Sequence, residues 1–272
     1  MAFFQMDYFS ESLCFNTEVN VFIPTPNSDE ILNHKKSDYF QDGRKFQVLY
    51  LLHGAYGDYS DWMRLTSVER YAQDHKLAIV MPSASNSFYQ DMYKGSDYLT
   101  YLSEELPKVM KAYFPISRKR ENTFVAGLSM GGYGAVKLAF EHPENYAACA
   151  SLSGAIDIQA VMKSLAVGNM EGPFDFHRIF KDPNRIEGTN ADLIHLIQKR
   201  IDEKVMLPRV YQTVGTEDFI YKANQSAREK LEKMPLDYTY EEKAGIHDWK
   251  FWDMQIERVM DWLSPAYDSV EE

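Results

Sequence analysis

Residues 122–143 read NTFVAGLSMGGYGAVKLAFEHP and contain the most informative motif of the chain. An apolar run leads into Gly127-Leu128-Ser129-Met130-Gly131, and a helix-forming segment follows at once. A Gly-x-Ser-x-Gly in this setting predicts a sharp strand-to-helix turn that raises one serine hydroxyl above a sheet. The flanking glycines let strand and helix approach closely, and the helix N-terminus favours negative charge beside the serine. We therefore predict that Ser129 is a nucleophile.

A serine hydroxyl needs a general base, and the base needs an acid that orients its ring. In the fold that carries this turn, the acid and then the histidine follow the serine along the chain. A short strand predicted over residues 208–214 ends in a tight loop, where Asp218 is the predicted acid and Glu217 the alternative. His247 lies in a glycine-containing loop between the last predicted strand and the last predicted helix, so it is the predicted base. Its neighbour Asp248 is expected to begin that helix.

A second buried strand is predicted by the continuous apolar run Val48–Leu52. The His53-Gly54-Ala55 sequence after it matches a loop that supplies one backbone N–H of an oxyanion hole, the other coming from the residue after the nucleophile. These donors would be the amides of Ala55 and Met130. We expect His53 to shape the loop rather than to exchange protons. The alternative is an ordinary buried strand that ends in a glycine turn.

The segments LLHGAYGDYSDW, GLSMGGYGA, GTEDF and GIHDW together resemble the esterase D and S-formylglutathione hydrolase group of α/β-hydrolases. The chain is most similar to the bacterial tributyrin esterases, and the resemblance runs nearly from end to end. It implies an α/β-hydrolase fold and hydrolysis of short-chain acyl esters through an acyl-enzyme. Residue by residue, it implies a catalytic triad of Ser129, Asp218 and His247 with oxyanion amides at Ala55 and Met130.

Two motifs depart from the S-formylglutathione hydrolases. Those enzymes usually carry a Gly-Leu-Thr-Cys-type loop where this chain has His53-Gly54-Ala55-Tyr56, and an Asp-His-Ser-Tyr motif where it has Ile246-His247-Asp248-Trp249. Both differences favour the tributyrin or feruloyl esterases. The alternatives are a thioesterase of the S-formylglutathione type, an acyltransferase or acetyl or feruloyl carbohydrate esterase, and a catalytically inactive binding module.

The order of predicted elements indicates an α/β protein. Two leading strands within residues 1–23 precede an alternation of strands and helices, which predicts a mostly parallel central sheet with helices on both faces. We expect a single domain over residues 1–272, with a cap-like insert at about 156–205 before the acid strand. Trp62 and Tyr89 are candidate substrate contacts near the predicted mouth, with structural packing as the alternative. The aromatic residues of the insert are candidates for an acyl pocket or for core packing: Phe174, Phe176 and Phe180.

The composition limits the classes of partner. The 272 residues carry a formal net charge of −11, which argues against binding to nucleic acid or to anionic membranes. Neither a membrane-spanning apolar stretch nor a leader sequence is apparent, and two cysteines make no disulfide framework, so we expect a cytoplasmic protein. Metal-ligand spacings and phosphate-binding loops are also missing, which predicts cofactor-free hydrolysis of a small-molecule ester. Because related esterases often self-associate, the resemblance leaves a homo-oligomer as an expectation.

Overall fold

The computed structural model describes residues 1–33, 39–167 and 174–263. Eight strands lie within these ranges: β1 (Ala2–Ser10), β2 (Phe15–Ile23), β3 (Val48–Leu52), β4 (Ala78–Pro82), β5 (Thr123–Leu128), β6 (Ala148–Leu152), β7 (Arg209–Gly215) and β8 (Tyr238–Lys243). They form one sheet in the order β1-β2-β4-β3-β5-β6-β7-β8. The pairs β1–β2 and β2–β4 are antiparallel, and all pairs from β4 to β8 are parallel.

Helices connect most of the parallel strands. The α-helices of the described ranges are α1 (Ser28–Leu32), α2 (Asp61–Leu65), α3 (Val68–Asp74), α4 (Tyr98–Thr100), α5 (Leu106–Tyr113), α6 (Met130–Glu141), α7 (Ile158–Val167), α8 (Phe176–Phe180), α9 (Leu193–Asp202), α10 (Tyr221–Leu231) and α11 (Trp249–Leu263). A π-helical stretch over Tyr101–Glu105 joins α4 to α5. No helix in these ranges is both long and apolar enough to cross a membrane.

The sheet separates two apolar cores. Along β3, Val48 and Tyr50 belong to one core, and Leu49 and Leu51 belong to the other, because successive side chains of a strand point to opposite faces. Helices α5, α6, α9 and α10 contribute to the first core, and α3 and α11 contribute to the second. The predicted mostly parallel sheet with helices on both faces is therefore confirmed.

The parallel strands bring four loops to one edge of the sheet. Strands β3, β5, β7 and β8 run in the same direction, so the loops that follow them emerge at the same edge. These loops begin at or carry His53, Ser129, Asp218 and His247. The topology thus assembles residues that lie up to 194 positions apart in the numbering, from His53 to His247 (247 − 53).

The insert expected at 156–205 contains α7, α8 and α9, while residues 168–173 lie outside the described ranges. Helix α9 packs against α6, because the Arg200 guanidinium donates hydrogen bonds to the carbonyl oxygens of Phe140 (2.7 Å) and Glu141 (2.9 Å). This half of the insert therefore belongs to the helical layer of the fold. For the part of the insert before α9, the cap-like character stays a prediction.

The β1–β2 hairpin lies at one lateral end of the sheet, where β1 is the outermost strand. Its turn is held by the Glu105 carboxylate, which accepts hydrogen bonds from the Ser10 hydroxyl (3.0 Å) and the Ser12 amide (2.8 Å). Cys14 ends this turn with a φ of 63° and an exposed thiol, whereas Cys149 is buried in β6. Cys14 is therefore exposed to solvent, whereas Cys149 is not.

Candidate active site

Ser129 occupies a strained turn between β5 and α6. Its φ of 53° and ψ of −116° are rare for a residue with a side chain, and such strain persists only where the surroundings enforce it. A Cβ on Gly127 would lie 2.4 Å from the Gly131 carbonyl oxygen, and one on Gly131 would lie 2.5 Å from that of His53. Only glycine fits at these two positions. The local geometry is therefore the strand–turn–helix that the Gly-x-Ser-x-Gly motif predicts.

A hydrogen-bonded chain links the three predicted triad residues. His247 Nε2 lies 3.0 Å from Ser129 Oγ, and His247 Nδ1 lies 2.8 Å from Asp218 Oδ2. Asp218 is 5% exposed, and its Oδ1 also accepts a hydrogen bond from the Ile220 amide at 3.0 Å. A carboxylate can only accept, so Nδ1 carries the ring proton and Nε2 is free to accept the serine proton. This arrangement can activate a serine hydroxyl.

The carboxylate of Glu217, the alternative acid, is directed at the backbone of the histidine loop. Its carboxylate Oε2 accepts a hydrogen bond from the Gly245 amide at 2.6 Å, and its own amide donates to the Gly245 carbonyl oxygen at 3.1 Å. Glu217 therefore ties the acid loop to the histidine loop, while Asp218 faces the His247 ring.

His53 supports the loop after β3. Its Nδ1 donates to the Gly54 carbonyl oxygen at 2.7 Å, and its Nε2 accepts from the Ala84 amide at 2.9 Å. Complete burial lowers the pKa of His53 to about 4, because the charged imidazolium is poorly solvated there. The ring is therefore neutral and fixed as a single tautomer, in keeping with the loop-shaping role expected from the sequence.

The two predicted oxyanion donors lie at the same cavity as the triad. Ala55 and Met130 both line it together with Ser129 and His247. Met130 is the first residue of α6, so its amide belongs to the first turn and has no acceptor within the helix. The helix N-terminus also contributes a partial positive charge at this point.

The cavity at the sheet edge has a volume of about 470 Å³. Volumes from roughly 300 to 1,000 Å³ are usual for small-molecule sites. Its lining among the described residues is mainly apolar and aromatic, and comprises Gly54, Ala55, Tyr56, Asp61, Phe88, Leu128, Ser129, Met130, Ala155, Val161, Phe174, Phe219, Ile220, His247, Asp248, Trp249 and Trp252.

The candidate substrate contacts Trp62 and Tyr89 do not reach this cavity. They are 1% and 0% exposed, and neither is among the lining residues. The Trp62 indole donates to the Leu52 carbonyl oxygen at 2.9 Å, and the Tyr89 hydroxyl donates to that of His53 at 2.8 Å. The structure therefore corrects the expectation of substrate contact. Both side chains are buried, and both hydrogen-bond the backbone at the end of β3.

One aromatic residue of the insert reaches the cavity. Phe174 lines it and packs edge-on against Phe88, with ring centroids 4.5 Å apart. Phe176 and Phe180 stack behind Phe174 in series, at 5.4 and 6.1 Å. Of the three candidates for the acyl pocket, Phe174 alone lines the cavity. Phe176 packs against Phe174, and Phe180 packs against Phe176.

Sequence reasoning missed the aromatic residues around the base. The Phe219 ring lies 4.6 Å from the His247 ring, and the Trp252 ring lies 4.9 Å from it, edge-on. Asp61 and Asp248 were also missed as lining residues. Adjacency was the available signal, because Phe219 follows Asp218 and Asp248 follows His247 in the sequence. Over the described part of the chain, no group of three or more His, Cys, Asp and Glu side chains could hold a metal ion.

Comparisons with known proteins show the family to which the chain belongs. A family model with the description "Putative esterase" matches residues 30–263. The chain is 32% identical to an acetyl esterase from Caldicellulosiruptor saccharolyticus, covering 98% of this chain and all of that protein.

Two solved structures from Staphylococcus aureus are also similar. The fluorophosphonate-binding serine hydrolase FphF superimposes with a TM-score of 0.86, and the S-formylglutathione hydrolase FrmB superimposes with 0.82. Each is 31% identical, covering 97% of this chain and 98% of the other. The predicted α/β-hydrolase fold is thereby confirmed, and the chain belongs to this esterase family as a carboxylic ester hydrolase.

Proposed function

We propose that the protein hydrolyses short-chain acyl esters with Ser129 as nucleophile, His247 as general base and Asp218 as the orienting acid. The observation that carries this proposal is the continuous hydrogen-bonded chain from Ser129 Oγ through the His247 ring to the Asp218 carboxylate, with contacts of 3.0 and 2.8 Å. Nucleophile, base and orienting group within hydrogen-bond reach form the signature of covalent catalysis by a serine.

In the acylation step, His247 Nε2 removes the Ser129 proton as Oγ attacks the ester carbonyl carbon. Asp218 stabilises the imidazolium that forms, and the amides of Ala55 and Met130 donate to the oxyanion of the tetrahedral intermediate. His247 then gives its proton to the leaving alcohol, and the C–O bond breaks to leave an acyl-enzyme. In the second step, water attacks this ester with the same proton transfers and releases the acid.

Acyl-chain length is limited by the size of the cavity. The leaving group must lie beside His247, since Nε2 delivers its proton, so the acyl group is assigned to the apolar part of the lining formed by Phe88, Val161 and Phe174. A cavity of about 470 Å³ holds both halves of the ester, which favours a short acyl group. The similarity to an acetyl esterase over the whole chain supports the same assignment.

The test is hydrolysis of p-nitrophenyl esters from acetate to decanoate by the wild-type protein and by Ser129→Ala and His247→Ala. We expect a maximum at two to four carbons. Loss of the nucleophile should lower turnover on the order of 10⁶-fold, the scale found for triad removal in another serine hydrolase. The exposed His195 on α9 offers a matched control, and His195→Ala should keep wild-type rates.

Retention of more than a few per cent of activity in pure Ser129→Ala, with the fold intact by circular dichroism, would contradict the nucleophile assignment. A maximum at eight or ten carbons would contradict the short-chain assignment alone. Labelling by a fluorophosphonate probe gives a second readout, because the label should attach to the wild-type protein and not to Ser129→Ala.

A thioesterase of the S-formylglutathione type is the second candidate, favoured by the similarity to FrmB. The two functions differ in leaving group, so the ratio of kcat/KM for S-formylglutathione to that for butyrate esters separates them. The charges in the cavity bear on this choice.

A further inference from the structure

Two carboxylates line the cavity, one on each of two elements. Asp61 is the first residue of α2, and Asp248 immediately precedes α11. The Asp248 carboxylate also caps α11, because its Oδ1 accepts a hydrogen bond from the Phe251 amide at 2.9 Å. The proposed mechanism uses neither carboxylate.

Both carboxylates line the cavity, and each follows or precedes a residue of the group around the general base. Asp248 is adjacent to His247 in the chain, and His247 delivers the proton to the leaving group. Asp61 is adjacent to Trp62, whose ring lies edge-on to that of Trp249 with centroids 5.3 Å apart. The α2 start and the α11 start are therefore neighbours beside the general base.

The charge at this end of the cavity is negative. Among the described lining residues, none is Lys or Arg, and the only carboxylates are Asp61 and Asp248. Asp58 adds a third negative charge, and partial burial together with that charge raises the pKa of Asp61. Arg64, further along α2, acts on Asp61 in the opposite direction but does not line the cavity.

We propose that Asp61 and Asp248 select the leaving group by its charge, so that the substrates are esters of neutral or cationic alcohols and anionic leaving groups are excluded. This inference rests on the proposed function, since it places the leaving group beside His247. A carboxylate on the leaving group would lose water and gain two like charges, and no lysine or arginine among the described lining residues would pair with it. Such juxtaposition of like charges is a common source of specificity.

Aromatic rings at the same end extend the preference to cations. Trp249 and Trp252 line the cavity and pack edge-on to each other at 5.3 Å, and Tyr56 lines it with 76% of its surface exposed. Aromatic faces attract ammonium groups through the ring quadrupole. Glutathione carries two carboxylates and one ammonium group, so its net charge is negative and the same two aspartates disfavour an S-formylglutathione substrate.

The experiment uses three acetate esters that share the acyl group and differ in leaving-group charge: 3-(trimethylammonio)phenyl acetate, phenyl acetate and 3-carboxyphenyl acetate. kcat/KM is measured at low ionic strength for the wild-type protein, Asp61→Asn, Asp248→Asn and the double variant. Each variant is compared with wild type on the same ester, so differences in chemical reactivity cancel. Asn also caps helices well, so Asp248→Asn keeps the start of α11.

In the double variant we expect the ratio of anionic to neutral ester kcat/KM to rise about tenfold, and the ratio of cationic to neutral to fall about tenfold, as for a partly screened interaction between charges. Raising the salt concentration should shrink both changes. Glu229→Gln removes one exposed charge on α10 away from the cavity lining, and both ratios should stay at wild-type values.

Equal changes on all three esters, or unchanged ratios in the double variant, would overturn the inference while leaving the proposed function standing. Lack of hydrolysis of every ester by the wild-type protein would overturn the proposed function and the inference with it. If Asp61→Asn fails to fold, the single variant Asp248→Asn still tests the inference. We then expect each kcat/KM ratio to change by about half as much as in the double variant, on a logarithmic scale.

Discussion

At the scale of single residues, Glu217 connects the acid loop to the histidine loop. It is fully exposed, yet both its carboxylate and its amide bind the backbone of Gly245, two residues before His247. The Gly245 amide, by donating to the carboxylate, lowers the pKa of Glu217. The acid loop thus holds the histidine loop by a second connection besides the Asp218–His247 contact.

We expect Glu217→Ala to lower kcat by between about tenfold and a hundredfold, the cost of slightly misplacing a reacting group. KM should change little, because Glu217 does not line the cavity. Glu217→Gln keeps an oxygen acceptor for the Gly245 amide and should restore most of kcat. Steady-state kinetics on a p-nitrophenyl ester measures both.

Glu242→Ala is the matched control, because Glu242 is an exposed carboxylate on β8 whose partners are Tyr221, Gln225 and Tyr240. Wild-type kcat in Glu217→Ala, or failure of Gln to restore it, would contradict the positioning role.

The role of a residue could be predicted from the sequence where a motif determines the backbone conformation at that residue. The strained conformation at Ser129 follows from its two glycines, and chain order points to Asp218 and His247 as its partners. The choice between Asp218 and Glu217 depends on how a tight loop directs two adjacent carboxylates, which spacing cannot show. Trp62 and Tyr89 were misplaced for a related reason, since proximity to a loop in sequence does not tell which way a ring points.

At the scale of elements, three tryptophans connect α2 to the base. The Trp62 ring packs edge-on against Trp249, Trp249 against Trp252, and Trp252 against His247, at 5.3, 5.3 and 4.9 Å. Trp62 also binds the end of β3 through the Leu52 carbonyl oxygen. The start of the loop after β3 and the predicted base are thus supported by one series of aromatic rings.

We expect Trp62→Phe to lower the free energy of unfolding by about 1–3 kcal/mol, because the buried Leu52 carbonyl loses its donor. Activity should fall through kcat rather than KM, since Trp62 does not touch the cavity. Urea unfolding and steady-state kinetics test the two statements. A raised KM with unchanged stability would instead restore Trp62 as a substrate contact.

Elements were predicted more reliably than their packing. The strand expected over 208–214 is β7, at Arg209–Gly215, and the strand expected over Val48–Leu52 is β3, with the same bounds. Apolar runs and turn residues mark such elements locally. The insert was harder to predict, because its pattern does not reveal that α9 joins the helical layer while Phe174 turns toward the site.

At the scale of the whole molecule, the buried His53 couples folding to pH. Its pKa is about 4 in the folded protein and roughly 6.5 in an unfolded chain. Above pH 6.5 both states leave the ring neutral, so it adds no pH dependence. Below that value the unfolded state binds a proton that the folded state does not, so stability falls as the pH drops toward 4.

We expect this one histidine to lower the free energy of unfolding by about 3 kcal/mol between pH 7 and pH 4. His53→Gln keeps an acceptor for the Ala84 amide and does not titrate, so its stability should fall less over the same range. Urea unfolding at several pH values compares the two proteins, with His195→Gln at an exposed position as control. Parallel curves for wild type and His53→Gln would contradict the prediction.

The position of the hairpin turn has a practical consequence for attaching the protein to a surface. Cys14 bears the exposed thiol of the chain's two cysteines, and burial raises the pKa of the other, Cys149. The thiolate is the nucleophile that attacks a maleimide, so a maleimide support should couple at Cys14 alone. Strand β1 lies four strand spacings, about 19 Å, from β5 and its serine. Single-point immobilisation through this thiol would therefore give a uniformly oriented layer of enzyme that is attached at the β1 end of the sheet.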